Sequence, residues 1–544
     1  MSSTTTSPAT PSRWHGRPYP RTGPAAVHDA LSDLESPCFL LAVPQGLGAA
    51  THGTLAPGDS GTGLPLLAAL DPLPPQQLGS AAFRAAHGVR QSYMAGAMAG
   101  GLSCADMVIT LARDGTLSSY GAGGLPPAVI EKALVRFAAE IPGLPFAVNL
   151  LHSPSEESLE RNAVELFVRY GVRCVEASAY MVLTPHVVRY RLAGLRRAPD
   201  GRVVAGNRII AKISRAEIAE RFLRPAPAPM VTALREQGLI TAEQAELAPL
   251  VPLADDVTVE ADSGGHTDRR SLTALLPLIL RLRDTVQREQ RYAEPVRVGA
   301  AGGLGTPEAV AAAFVMGADY VVTGSVNQAC LESGASPATR AMLARAGVAD
   351  CTMAPAADMF ESGIDVQVLK KGTLFPMRAR RLYQLYSAYD GLDALPADER
   401  RKLEEQVFRR NLDDIWQDCV QYFEERDPGR LVRVANDPKR RMGLVFRWYL
   451  GMASRWAATG DPDRTKDYQI WCGPAMGSFN DWAAGSYLGD PANRRVVDVA
   501  HHLMRGAAFR TRIARLHTAG VRLPASTAHY RPVPLPEQVG RLNG

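Results

Sequence analysis

Residues 296–325 read VRVGAAGGLGTPEAVAAAFVMGADYVVTGS, and this stretch decides the fold. Val296–Val298 opens a β-branched strand, and Gly299–Gly305 is a glycine-rich loop. Thr306 is placed to cap a helix, Pro307 takes its first position, and Glu308 sits in the first turn, where the dipole favours a carboxylate. Gly317 is the expected left-handed stop, and a second strand then closes in Thr323, Gly324 and Ser325. The loop is close to a dinucleotide fingerprint. That fold needs an acidic residue about 20 positions on to hold a ribose hydroxyl. Here the second strand ends without one. Two successive glycine-rich strand ends match instead the phosphate site of a TIM (β/α)8 barrel, formed after its last two strands.

The expected ligand is therefore a mononucleotide phosphate, such as that of FMN. Some thirty residues upstream lies a second informative stretch, VTVEADSGGH at 257–266. An alternating strand ends there in a polar, glycine-rich turn that delivers His266. Carboxyl ends of strands are where ligands bind in parallel α/β proteins. Gly264 and Gly265 remove the Cβ atoms that would keep a ring or phosphate from the backbone. A histidine directly after them is placed to exchange protons near neutral pH.

Strand and helix patterns alternate outward from these loops. Strands are expected at Tyr93–Gly101 (with its loop), Leu117–Gly121, Phe146–Leu150, Cys174–Ser178 and Arg208–Ser214. Helices are expected at Ala105–Asp114, Ala128–Ile141, Glu156–Tyr170, Arg215–Leu223 and Leu272–Arg288. This rhythm implies a parallel barrel over 81–365, with a helical excursion at about 225–256. Residues 1–80, rich in Pro, Gly and Ser, read as a tail and an irregular entry segment. From about 366 the β signal fades, so 366–544 is expected to be mostly helical.

Composition sets the outer limits. The 544 residues exceed one minimal barrel, which needs about 250, and 46% hydrophobic with 21% charged residues fits a well-cored soluble protein. A net charge of +5 with interspersed signs gives no nucleic-acid reading. Seven dispersed cysteines without a C-x-x-C pair fit reduced thiols. Apolar runs fall short of the roughly 20 residues of a membrane span, and no signal peptide is evident, so a cytoplasmic protein is expected.

The assembled residues resemble the FMN-dependent enoyl reductase and nitronate monooxygenase superfamily. Its motifs are the first loop Ala95–Met98, the strand Phe146–Asn149, the Gly-Gly-His at 264–266 and the two phosphate loops. Longer runs make the chain similar to the PfaD-type trans-acting enoyl reductases of polyunsaturated fatty acid and trans-acyltransferase polyketide synthases. These are EASAY at 176–180, VEADSGGHTD at 259–268, TGSVNQAC at 323–330, TMAPAADMF at 352–360 and DYQIWCGPAMG at 467–477. The likeness runs from about 80 to 490.

The resemblance implies that NADPH reduces FMN, which passes hydride to an unsaturated thioester on an acyl carrier protein. His266 would be the catalytic residue, as proton donor or as an anchor for the thioester carbonyl. Gly302, Gly303, Gly324 and Ser325 would cradle the phosphate, and Ala97, Met98, Asn149, Gly264 and Gly265 would border the ring. Lys212 faces the ring or solvent depending on register; inward, it would stabilise the reduced flavin. Asp262 and Ser263 either touch the ribityl chain or cap the turn. Two basic clusters, Arg378, Arg380, Arg381 and Lys439, Arg440, Arg441, are docking surface for an acidic carrier or solvated helix faces. A homodimer is compatible with the chain, and no residue fixes it. The competing readings are a nitronate monooxygenase, with oxygen as oxidant, and an idle flavin-binding member of a synthase.

Overall fold

A computed structural model of the chain describes residues 12–57, 62–153, 157–426 and 428–535. The amino-terminal tail to residue 11 and the expected helix start at Glu156 lie outside them. Eight parallel strands carry the centre: β1 (Tyr93–Ala95), β2 (Leu117–Tyr120), β3 (Ala147–Leu151), β4 (Cys174–Ser178), β5 (Arg208–Ile213), β6 (Asp256–Glu260), β7 (Arg297–Ala301) and β8 (Val321–Thr323). They pair in chain order and close when Val321–Thr323 pairs with Tyr93–Ala95. Because helices cover the outside and side chains fill the inside, β2, β4 and β7 are buried at every position. The chain is a TIM barrel with a helical insertion and a mostly helical carboxyl-terminal region.

The opening stretch folds as its residues dictate. The Thr306 side chain accepts from Ala309 N and caps the helix Pro307–Val315, and Gly317 takes a φ of 100°. Gly299 has a packing reason of its own: a Cβ there would lie 2.4 Å from the Tyr320 ring. Tyr320 stacks on Phe83, with centroids 4.2 Å apart, and its hydroxyl meets Thr258 Oγ1 at 2.8 Å. Phe83 belongs to the helix Ala81–His87, whose last residue reaches the amino-terminal end of β6. There His87 Nε2 and Arg297 meet the fully buried Asp256, at 2.9 Å and at 2.6 and 2.9 Å. This end of the barrel is a closed, ion-paired plug.

Three regions differ from expectation. Residues 13–57 and 62–70 are not irregular: six short antiparallel strands form a sheet backed by the helix Pro24–Ser32. Arg13–His15 pairs with Thr54–Ala56 some forty residues away, so no local alternation announces the sheet. Between β4 and β5 the helix Pro185–Ala193 and a hairpin of Leu195–Arg197 with Val203–Ala205 went unread. Finally, a small sheet at the barrel mouth was not expected, although its last strand ends at Leu369, close to where the β signal fades. Gly265–His266, Cys351–Pro355 and Asp365–Leu369 make a small antiparallel sheet over the barrel mouth. Beyond it, the helices Phe375–Ala388, Pro438–Thr459 and Val496–Thr518 lead a mostly helical region. Val496–Thr518 packs on Pro307–Val315 through Gly506, where a Cβ would lie 2.5 Å from Pro307 Cγ. Among the described residues no helix is long and apolar enough to cross a membrane.

Candidate active site

Opposite the plug, the carboxyl ends of the strands border a cavity of ≈ 1240 Å³. Every strand or the loop after it contributes: Ala97 and Met98, Gly123, Asn149, Glu176, Lys212, Gly264 to His266, Gly302 and Gly303, Gly324 and Ser325. The opposite wall comes from Asp358 beside the small sheet and from Ser454, Gln469 and Trp471 of the carboxyl-terminal region. A volume of this size exceeds the roughly 300–1,000 Å³ of ordinary small-molecule pockets and accommodates more than one ligand.

At one end lie the two glycine loops. Gly302 and Gly303 take φ of 87° and 71°, a left-handed backbone that only glycine adopts at little cost. Cβ atoms added at Gly303 and Gly324 would meet nothing within 4 Å, so both loops face open space. Ser325 Oγ instead accepts from Gly473 N at 3.1 Å. The run at 467–477 thus crosses the loop, and Gly305 makes room for it: a Cβ there would lie 2.1 Å from Ala475 O. This pairing of bare backbone with free space fits a phosphate.

The floor is polar. Asn149 Nδ2 donates to Glu176 O at 3.0 Å and to Ser178 Oγ at 2.7 Å, which commits its donors and leaves Oδ1 free. Glu176 Oε2 accepts from Ala97 N at 2.7 Å, and Met98 N donates to Ser103 Oγ at 2.9 Å. Ala97 and Met98 therefore border the cavity with amides already engaged. Lys212 faces inward and meets Glu260 Oε1 at 3.3 Å. Burial opposes its charge, but Glu260 and Glu176 outweigh burial and hold its pKa above the ordinary lysine value.

His266 sits on the two-residue strand paired with Val366 and Gln367, not on a free turn. Its Nε2 lies 3.2 Å from Asp358 Oδ1, though not aligned for a hydrogen bond. Burial disfavours the imidazolium, yet Asp358 and Glu260 overcome it and raise the pKa above the usual histidine value. Asp358 is correspondingly lowered against its own burial. The site therefore presents an imidazole biased toward holding a proton.

Several expectations need correction. Asp262 does not line the cavity; its Oδ1 accepts from Gln367 Nε2 at 2.8 Å, so it anchors the small sheet. Gly264 clears space for protein, not for ligand: its Cβ would lie 2.9 Å from Cys472 N. Gly265 supplies a left-handed turn, with φ of 82°. The residues of the two basic clusters each have a partner, while Arg381 and Arg440 stay exposed as on a solvated helix face. Arg378 binds Asp467, Arg380 Asp365 at 2.7 Å, Arg381 Glu399 at 2.5 Å and Arg441 Asp413 at 3.0 Å. Arg440 meets Asp437 at 3.1 Å, and Lys439 donates to the carbonyls of Tyr386 and Tyr389. Sequence reading missed Glu176, Glu260 and Asp358, though all three stand inside the quoted runs as acidic residues among apolar or small ones. Arg269 and Arg455 were missed too; they line the cavity mouth, and no ion pair forms on either among the described residues.

Comparison with known proteins follows this geometry. The family model for nitronate monooxygenase matches residues 86–384, the barrel and small sheet. That for the fatty acid synthase subunit PfaD N-terminal domain matches 14–72, the amino-terminal sheet. Residues 389–468 match the inserted helical domain of [acyl-carrier-protein] S-malonyltransferase. A polyunsaturated fatty acid synthase subunit of Thraustochytrium sp. is 46% identical over 89% of this chain and 32% of that protein. Polyketide biosynthesis protein PksE of Bacillus subtilis is 43% identical over 79% of this chain and 56% of that one. The chain thus spans at most little more than half the length of these relatives. Among solved structures, the enoyl reductase domain of MlnA from the macrolactin biosynthesis cluster of Bacillus amyloliquefaciens is 38% identical, with a TM-score of 0.77. That match covers 81% of this chain and 100% of that one.

Proposed function

The chain belongs to the nitronate monooxygenase family and carries a PfaD-type amino-terminal domain, and on that premise we propose that it is an FMN-dependent enoyl reductase. It would consume NADPH and act in trans on α,β-unsaturated thioesters held by an acyl carrier protein. The observation that carries this reading is the placement of His266, biased toward its protonated form by Asp358, on a cavity whose far end is the glycine cradle. Similarity over the full length of an enoyl reductase domain supports the same choice over a nitronate-oxidising one.

Gly303, Gly324 and the backbone around them would hold the FMN phosphate, and Asn149, Glu176 and Lys212 the ring. When bound, FMN supplies the hydride chemistry. The chain's residues do the rest. Lys212 places a fixed positive charge beside the floor, stabilising negative charge that develops on a ring there. His266 carries the proton that the α-carbon requires, and Asp358 with Glu260 keeps that proton on the imidazole. The helix Pro438–Thr459 and Trp471 line the cavity opposite the barrel strands, where a long acyl arm would lie. Arg269 and Arg455 at the mouth suit the phosphate of a carrier's pantetheine arm.

The test offers the purified yellow protein two sets of substrates. NADPH with a crotonyl thioester under anaerobic conditions should be consumed to a saturated thioester. Oxygen-dependent consumption of a nitronate, with the thioester untouched, would overturn the reading in favour of a nitronate monooxygenase. A colourless, inert protein would leave only a scaffold.

A further inference from the structure

Glu176 is 1% exposed, points into the cavity from β4, and has one carboxylate oxygen, Oε1, that is buried without any hydrogen-bond partner. The other oxygen is fully explained by Ala97 N. Leaving a carboxylate oxygen unpaired in a low-dielectric interior is costly, so a glutamate retained there needs a donor from outside the fold. Glutamine would satisfy Ala97 equally well, without burying a charge. Beside it Asn149, whose two amide hydrogens are spent, offers only Oδ1. A Cβ at Gly123 would lie 2.7 Å from that oxygen, so no protein side chain can stand between it and the β2 loop. Two strands thus present hydrogen-bond acceptors, while Lys212, drawn electrostatically by both Glu260 and Glu176, supplies a cation beside them.

A floor of acceptors beside a cation fits a heterocycle whose edge carries an N–H flanked by carbonyls. We propose that Glu176 is a binding residue that reads the flavin: its free Oε1 accepts from the imide N–H of the ring, while Lys212 meets an adjoining carbonyl. This rests on the FMN reading above and extends it to a carboxylate oxygen, Oε1, that no hydrogen bond engages among the described residues. A carboxylate so placed disfavours added negative charge on the ring, and Lys212 opposes it. The pair sets how readily the bound flavin is reduced.

The test uses FMN and 3-methyl-FMN, which lacks the imide hydrogen, with wild type and Glu176→Gln. Wild type should bind 3-methyl-FMN about tenfold or more weakly than FMN, as expected when a buried acceptor loses its donor. Glu176→Gln should bind FMN about tenfold more weakly and discriminate little between the two, and its bound FMN should be reduced at a higher midpoint potential. Apoprotein melting no lower than wild type would show that the substitution spares the fold. The wild-type discrimination needs no variant at all. If wild type binds both flavins alike, or Glu176→Gln binds FMN with unchanged affinity and potential, Glu176 merely holds Ala97 and the inference is overturned. If wild type takes up no FMN, the cofactor reading itself falls, and this inference with it.

Discussion

His266 Nε2 lies 3.2 Å from Asp358 Oδ1, one contributed by the strand that extends the β6 loop and the other by the connection between the remaining two strands of the small sheet. That sheet therefore brings a proton carrier and its counter-charge together over the barrel mouth.

The pair predicts a pH profile. His266 is raised above the usual histidine value because Asp358 and Glu260 outweigh burial, so its proton persists beyond the pH at which a free imidazole loses it. Enoyl reduction should hold through that range and decline only on the alkaline side. Asp358→Asn removes the largest favourable contribution and should move the decline to lower pH. His266→Ala should lower kcat/KM by about 10²–10⁴-fold. A profile that stays put in Asp358→Asn would refute the coupling.

Gly324 offers a test of the phosphate cradle. A Cβ there would enter open space. Gly324→Ala should weaken FMN binding about tenfold, roughly the worth of one charge-assisted hydrogen bond, with apoprotein melting measured alongside as the control for folding. Riboflavin, lacking the phosphate, should bind wild type and variant alike in fluorescence titrations.

At the closed end the chemistry is structural. Asp256 is fully buried, and His87 and Arg297 overcome the burial penalty to lower its pKa to about 2. A lowered carboxylate contributes stability above its unfolded value, about 4, and that contribution is lost as pH falls toward 2. Asp256→Asn leaves Arg297 buried without its counter-charge and should cost about 3–5 kcal/mol in denaturant unfolding at neutral pH. The difference from wild type should shrink in acid.

Arg378 belongs to the same category. It pairs with Asp467, which is 0% exposed and also engages Tyr449 Oη at 2.7 Å and Arg464 at 3.3 Å. Arg378→Ala should destabilise the protein by about 3 kcal/mol while KM for a carrier-bound thioester stays at the wild-type value. A raised KM with unchanged stability would restore the docking role that its surroundings deny it.

The barrel was legible because most of its strands are short runs rich in apolar or β-branched residues that end in a glycine or polar turn, and helices such as Pro307–Val315 carry their own cap and breaker in Thr306 and Gly317. Gly303, Gly324 and Asn149 came with it, since a strand's carboxyl end places them, whereas Lys212, mid-run in its strand, took the register of the barrel to turn inward. The partners of His266 did not. Asp358 is 92 residues downstream, and only the pairing of Gly265–His266 with Val366 and Gln367 brings it near. For the same reason Asp262 and Gly264 were misread: their partners, Gln367 and Cys472, come from segments whose approach local pattern does not encode. Arg378 looked like surface because sequence shows a charge without its long-range counter-charge, the buried Asp467. In the amino-terminal sheet, strands of two to seven residues pair across long gaps, and propensity alone cannot find the register.

The central claim is that this cavity reduces an enoyl thioester. Its most direct measurement is an anaerobic reaction of the FMN-loaded protein with NADPH and a crotonyl group on a phosphopantetheinylated acyl carrier protein, the acyl chain read by mass spectrometry. The account predicts butyryl carrier protein formed in step with NADPH loss, and nearly none with His266→Ala. Unchanged crotonyl carrier protein beside a fully flavin-loaded, NADPH-reducible enzyme would contradict it.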